Sequence, residues 1–218
     1  MEILFNTFLT LHILGGSIGL LTGTINLVRR KGGKKHVRVG KLFTYGMLTA
    51  GFSAFVLSIL HPNYFLFMVG VFTLYLVGTG NRYIRLQLSG KDVKPTLLDW
   101  MISGSMLLAG LFLIVQGIRL LVAQQHFGLV LMVFGLIGLR FVTIDVAYYR
   151  GKSRQRNDWL LSHLQRMTGG YIASLTAFLV VNAKFLPAVF PSVLLWLLPT
   201  FILTPLIIFW SRKYKGKP

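Results

Sequence analysis

Residues 143–170 read TIDVAYYRGKSRQRNDWLLSHLQRMTGG. The segment joins two strongly apolar runs and carries Asp145, His163 and Arg166 near the points where those runs begin and end. Arg140 lies just upstream, inside the apolar run itself. An ionisable side chain within a membrane-length segment is costly, and its retention marks a polar site or a buried pair. Working outward from this stretch, the chain reads as an all-α membrane protein built around such a site.

Composition agrees. Only 13% of the 218 residues are charged, against roughly 25% in soluble domains, and the mean hydropathy is +0.67. Seven apolar runs follow one another, at approximately 3–28, 42–60, 64–80, 97–122, 127–149, 159–182 and 193–210. Each approaches the roughly 20 residues that cross a hydrocarbon core of about 30 Å. They predict a single polytopic domain over residues 1–218. The formal net charge of +18 lies in short clusters between runs, where it sets topology and meets anionic lipid head groups rather than nucleic acid. With no cysteine in the chain, disulfides, thiolate metal ligands, iron–sulfur clusters and a cysteine nucleophile are all excluded. The first run begins at once, without a basic leader or a small-residue cleavage site, so it is expected to be retained.

The basic residues alternate. Residues 29–41 (RRKGGKKHVRVGK) hold seven Lys and Arg, while 81–96, 150–157 and the tail from Ser211 hold four each. The intervening links hold almost none: HPN at 61–63, Arg119 near the fourth and Lys184 in the sixth. The positive-inside rule then puts the N-terminus outside and the C-terminus in the cytoplasm, for a protein of the cell (inner, cytoplasmic) membrane.

Within the first run, Gly15, Gly19 and Gly23 repeat every four residues, a pattern that lets helix backbones approach closely. His12 and Asn26 fall on the same face, so both are expected to point into the bundle. His36 is placed at the centre of the first basic loop. Pro199 and Pro205 predict a kink in the last helix.

The segment GSIGLLTGTIN (16–26) also aligns without a gap on GLIGLRFVTID (135–145), with six identities in eleven positions. Asn26 then stands opposite Asp145, and His36 opposite His163. His61-Pro62 and Phe190-Pro191 open the third helix of each unit. The expectation is a parallel three-plus-one-plus-three repeat, with units 3–85 and 123–214 joined by a linker helix at 97–122. Small transporters of this plan bind solute between their repeats.

These positions define the candidate site. His36, His163 and Asp145 converging from two halves would bind a divalent metal. Two histidines could instead ligate a haem iron, with Arg166, Arg82 or Arg140 meeting its propionates. A third reading has Asp145 paired with Arg166 or Arg140, with His163 capping the network. His12, Asn26, Arg140 and Arg166 complete the set of cofactor- or ligand-binding candidates.

Three stretches carry a family resemblance: HILGGSIGLLTG in the first helix, KKHVRVGKLF after it, and SHLQRMTGGYIASLTAF near the end. Together they resemble the predicted bacterial and fungal membrane proteins called domain of unknown function twenty-three-oh-six. The usual forms of that family look like His-Arg at both histidines. Here they read His36-Val37-Arg38 and His163-Leu164-Gln165-Arg166, so the arginines are displaced. The resemblance implies the topology and draws attention to His36 and His163, and implies no reaction.

Two function classes follow. One is a membrane protein binding a metal, haem or small polar ligand near the inner leaflet, with redox chemistry open. The other is a transporter of a small solute or lipid, with a pathway through His12, Asn26, Arg140 and Asp145. No Gly-x-Ser-x-Gly elbow, P-loop or dinucleotide fingerprint is present, so neither serine catalysis nor ATP-driven action is indicated. Whether the chain is an enzyme, and whether it forms a homo-oligomer, stays open.

Overall fold

A computed structural model describes residues 1–88, 94–152, 157–185 and 192–215. These residues form seven α-helices and no strand: α1 (Glu2–Val28), α2 (Lys34–Leu60), α3 (Tyr64–Leu88), α4 (Leu97–Val122), α5 (Phe127–Tyr149), α6 (Asp158–Val181) and α7 (Ser192–Tyr214). One 3-10 turn, Ala183–Phe185, follows α6. Six helices are long and apolar enough to cross a membrane, all but α6. This is a multi-pass helical membrane bundle.

The exception has a physical reason. α6 packs against α3 on one side and α7 on another, with α1 touching it as well. A helix enclosed by other helices can carry polar side chains that lipid would penalise, and α6 buries Ser162, Arg166, Thr168 and Thr176. At 24 residues and about 1.5 Å per residue, it is still long enough to cross.

Close approach of backbones sets the rest of the architecture. α1 packs along α2, and α4 along α5, as two tight hairpins. A Cβ on Gly15 would meet the Gly46 carbonyl at 2.8 Å, and one on Gly117 would meet that of Gly128 at 2.7 Å. The hairpins can close only because these positions lack side chains. α2 continues onto α3 and α3 onto α6, whereas the α4–α5 hairpin touches α3 much more lightly. Apolar contact there runs through Phe72, Met106 and Val142, and further along through Met68, Leu113 and Leu131.

Several sequence expectations move. α2 begins at Lys34, eight residues before the apolar run, so His36 stands in its first turn and not in a loop. α3 continues past Gly80 through NRYIR to Leu88. The turn at 61–63 is as expected, with the Asn63 side chain accepting from the Leu66 N–H at 3.0 Å. α7 passes through Pro199 and Pro205 as one helix. The packing does not follow the three-plus-one-plus-three plan: α1 and α2 form the tightest pair, while α5 and α6 do not lie side by side. Phe190 and Pro191 lie outside the described residues.

Candidate functional site

One end of the bundle gathers the basic segments, and its polar side chains fall into two adjoining groups. The first is centred on Asp145, which is fully buried on α5. Its Oδ1 accepts from Arg166 Nη2 at 2.5 Å and from the Tyr83 hydroxyl at 2.7 Å. Its Oδ2 accepts from Tyr75 at 2.5 Å, Ser103 at 2.9 Å and Arg166 Nη1 at 3.3 Å. Arg166 is equally buried. It also donates to Thr79 Oγ1 at 2.7 Å, and its guanidinium sits 4.9–5.3 Å from the ring centres of Tyr83, Phe141 and Tyr75. A charge pair can be held away from water when the remaining lone pairs and protons are satisfied, and here nearly all are. Only Arg166 Nε lacks a partner.

The elements explain the convergence. Tyr75, Thr79 and Tyr83 recur every four residues on α3 and so form one stripe. On α4, Asp99 and Ser103 are likewise one turn apart. Asp99 takes a bidentate fork from Arg82, at 2.6 and 2.9 Å, and accepts from both the N–H and the hydroxyl of Thr96 at 2.7 and 2.8 Å. Both acids therefore fasten the α4–α5 hairpin to α3 and α6, where backbone packing is light.

The second group lies where the basic ends of α1, α2, α6 and α7 meet. His163 Nδ1–H donates to the Gly80 carbonyl at 2.8 Å, which leaves the lone pair on Nε2 in the neutral ring. Gly80 permits this approach: a Cβ there would stand 3.1 Å from Arg166 Cβ. The His36 ring is within electrostatic reach of His163, and its own Nδ1 is buried without a partner among the described residues. The Asn26 amide donates to the His36 carbonyl at 3.2 Å, while Asn26 Oδ1 is buried and unpaired. Ser211 Oγ is in the same condition on α7. Beside it, Trp210 carries the Lys31 ammonium 4.2 Å above its ring. Lys31 also caps α1 by donating to the carbonyls of Asn26 and Leu27, at 2.6 and 2.8 Å, and burial lowers its pKa from the ordinary lysine value.

At the start of α2, a cavity of about 280 Å³ is lined by Arg29, Arg30, Gly33, Lys34, Lys35 and His36. Gly33 is the N-cap of α2 and provides no side-chain cap, so the first-turn N–H groups keep their capacity for an anion.

The candidates thus separate. Asn26, His36 and His163 come together at the basic end, while Asp145 and Arg166 form the adjoining ion pair. Asp145 does not join the histidines as a metal ligand: both its oxygens are taken by donors, and no group of three His, Cys, Asp or Glu able to hold a metal occurs among the described residues. The arginines assigned to haem propionates are also committed elsewhere, Arg166 to Asp145 and Arg82 to Asp99. Arg140 is exposed on the outside of α5, bonded to Thr143 at 3.1 Å. His12 donates to the Ala50 carbonyl of the neighbouring helix at 2.9 Å and lies near the other end of α1. His12, Asn26, Arg140 and Asp145 therefore line no common pathway.

Sequence reasoning missed Tyr75, Tyr83 and Ser103 as partners of Asp145 and Thr79 as a partner of Arg166, although the four-residue spacing on α3 was visible. Lys31 and Ser211 carried no signal, because what matters is the helix end they fold against.

These features define a class, a multi-pass helical bundle with a buried ion pair and an under-satisfied polar group at its basic end. No family model, curated protein or solved structure matches the chain. The family resemblance accordingly stands on its quoted residues alone.

Proposed function

We propose that the protein binds a small phosphate-bearing ligand at the basic end of the bundle, on the cytoplasmic side of a cell membrane. The orientation follows from the positive-inside rule, with the N-terminus outside and the C-terminus inside. One observation carries the reading: among the described residues, Asn26 Oδ1, His36 Nδ1 and Ser211 Oγ are buried without partners at the same end of the molecule. Buried polar groups are normally paired, and leaving one unpaired costs about 1–3 kcal/mol. Three toward one end of the bundle suit a ligand that both donates and accepts.

Hydrogenphosphate or a phosphate monoester meets that demand. Its oxygens suit the cations of the cavity and the first turn of α2, and its remaining O–H can donate to Asn26 Oδ1. Sulfate carries the same kind of charge without that proton. The ligand could be soluble or the head group of a lipid monoester, since the chemistry recognised is shared.

Equilibrium binding to the detergent-purified protein tests this, with inorganic phosphate, sulfate and a short-chain phosphatidic acid as probes. Saturable phosphate binding is expected, with sulfate weaker and with Asn26→Ala and His36→Ala each losing about tenfold, the equivalent of about one charge-assisted hydrogen bond. Preference for phosphatidic acid over phosphate would assign the lipid source. Equal, weak binding of both inorganic anions, unchanged in the variants, would reject the site.

A further inference from the structure

Arg140 poses a separate problem. It lies nine residues before the end of α5 at Tyr149, about 13 Å at about 1.5 Å per residue. It is exposed, and apart from Thr143 its face of α5 is apolar, with Val133, Leu136 and Ile137 respectively 43%, 55% and 42% exposed. Among the described residues, the only bond made by its guanidinium is to Thr143 Oγ1, which itself donates back to the Arg140 carbonyl. A cation at this depth facing lipid costs at least about 2.5–3.5 kcal/mol, and one neutral hydroxyl does not offset that.

Three occupants could supply the missing anion. A lipid phosphate is too far: an arginine side chain reaches about 7 Å, which leaves roughly 6 Å to the helix end where head groups begin. A second copy of this chain has no suitable carboxylate at that depth. Asp99 and Asp145 are buried and paired with Arg82 and Arg166. Glu2 and Asp158 stand in the first turns of α1 and α6, and the remaining acid, Asp92, belongs to the link between α3 and α4. We infer that this face of α5 docks a membrane-spanning helix of a different protein, one that carries an Asp or Glu at matching depth. The Leu136 and Ile137 side chains then pack beside the pair, and Arg140–carboxylate pairing sets the register.

The cysteine-free chain allows a clean test. A donor dye on Lys215→Cys and an acceptor dye on a model leucine–alanine transmembrane peptide report association by energy transfer in phosphatidylcholine vesicles. A peptide with one mid-depth Asp is expected to associate about tenfold more strongly than its Leu counterpart. Arg140→Leu should abolish the preference and Arg140→Lys should keep much of it. Equal association of the Asp and Leu peptides with the unsubstituted protein would overturn the inference. So would displacement of the Asp peptide by added phosphatidylglycerol, which makes lipid phosphate the occupant, or Arg140-dependent self-association, which makes it a second copy. The comparison of the two peptides on unsubstituted protein needs no variant, so it holds even if Arg140→Leu fails to fold.

Discussion

Asp145 and Arg166 are worth most to the fold as a pair and least when separated. Each is enclosed, and each depends on the other for neutralisation, with Tyr75, Tyr83, Ser103 and Thr79 completing the shell. Asp145→Asn is expected to destabilise the protein by about 3–5 kcal/mol, because it strands a buried guanidinium. Asp145→Leu combined with Arg166→Met should recover most of that loss. Thermal unfolding in detergent measures both. A single variant as stable as the parent would show that water reaches the pair. That Asp145 pairs with Arg166 was among the readings open from sequence; which arginine it chose was not. Arg140 precedes it on the same helix and Arg166 follows on the next, and only the helix rotation, which buries one and exposes the other, decides between them.

At the scale of elements, the two glycine-closed hairpins differ in how they are held. α1–α2 continues into α3, while α4–α5 is attached by apolar side chains and by the bonds of Asp99 and Asp145. Gly117→Leu inserts a side chain where a single Cβ already meets the Gly128 carbonyl. Overpacking of that kind costs about 1–3 kcal/mol. It should loosen α4 from α5 without disturbing α1–α2, as read by disulfide trapping between cysteine pairs introduced in each hairpin. Equal loosening of both would show that the hairpins are not independent. Helix existence was legible from hydrophobic runs, but helix starts were not. Positions 34–41 are too basic to look like a span, yet they continue α2 because a helix outlasts the hydrocarbon it crosses. The alignment of 16–26 on 135–145 also did not extend to packing. Gly, Ile and Leu recur wherever helices pack closely, so identities among them carry little information about packing, and Asn26 and Asp145 occupy unlike surroundings.

For the whole molecule, the distribution of basic residues fixes one end against the other. Single cysteines placed at Lys35 and at Arg212 should be labelled by a membrane-impermeant reagent only after cells are opened, and one at Asn63 without opening. The reverse pattern would invert the topology. With that orientation, polarity is concentrated toward the cytoplasmic side: the ion pair, the unpaired atoms of Asn26, His36 and Ser211, and the basic cavity all lie toward that end. His36 drew attention from sequence through its supposed counterpart, His163, and through the family resemblance, and the two do lie within electrostatic reach, brought there by the packing of α6 among α1, α3 and α7. Phosphate binding at this end can be read directly from the imidazole resonances of the five histidines during a phosphate titration of the detergent-solubilised protein. The signals of His36 and His163 are expected to move together and saturate, while those of His12, His61 and His126 stay in place and sulfate produces little change. If all five drift without saturation, or if His36 does not respond, the site does not bind phosphate.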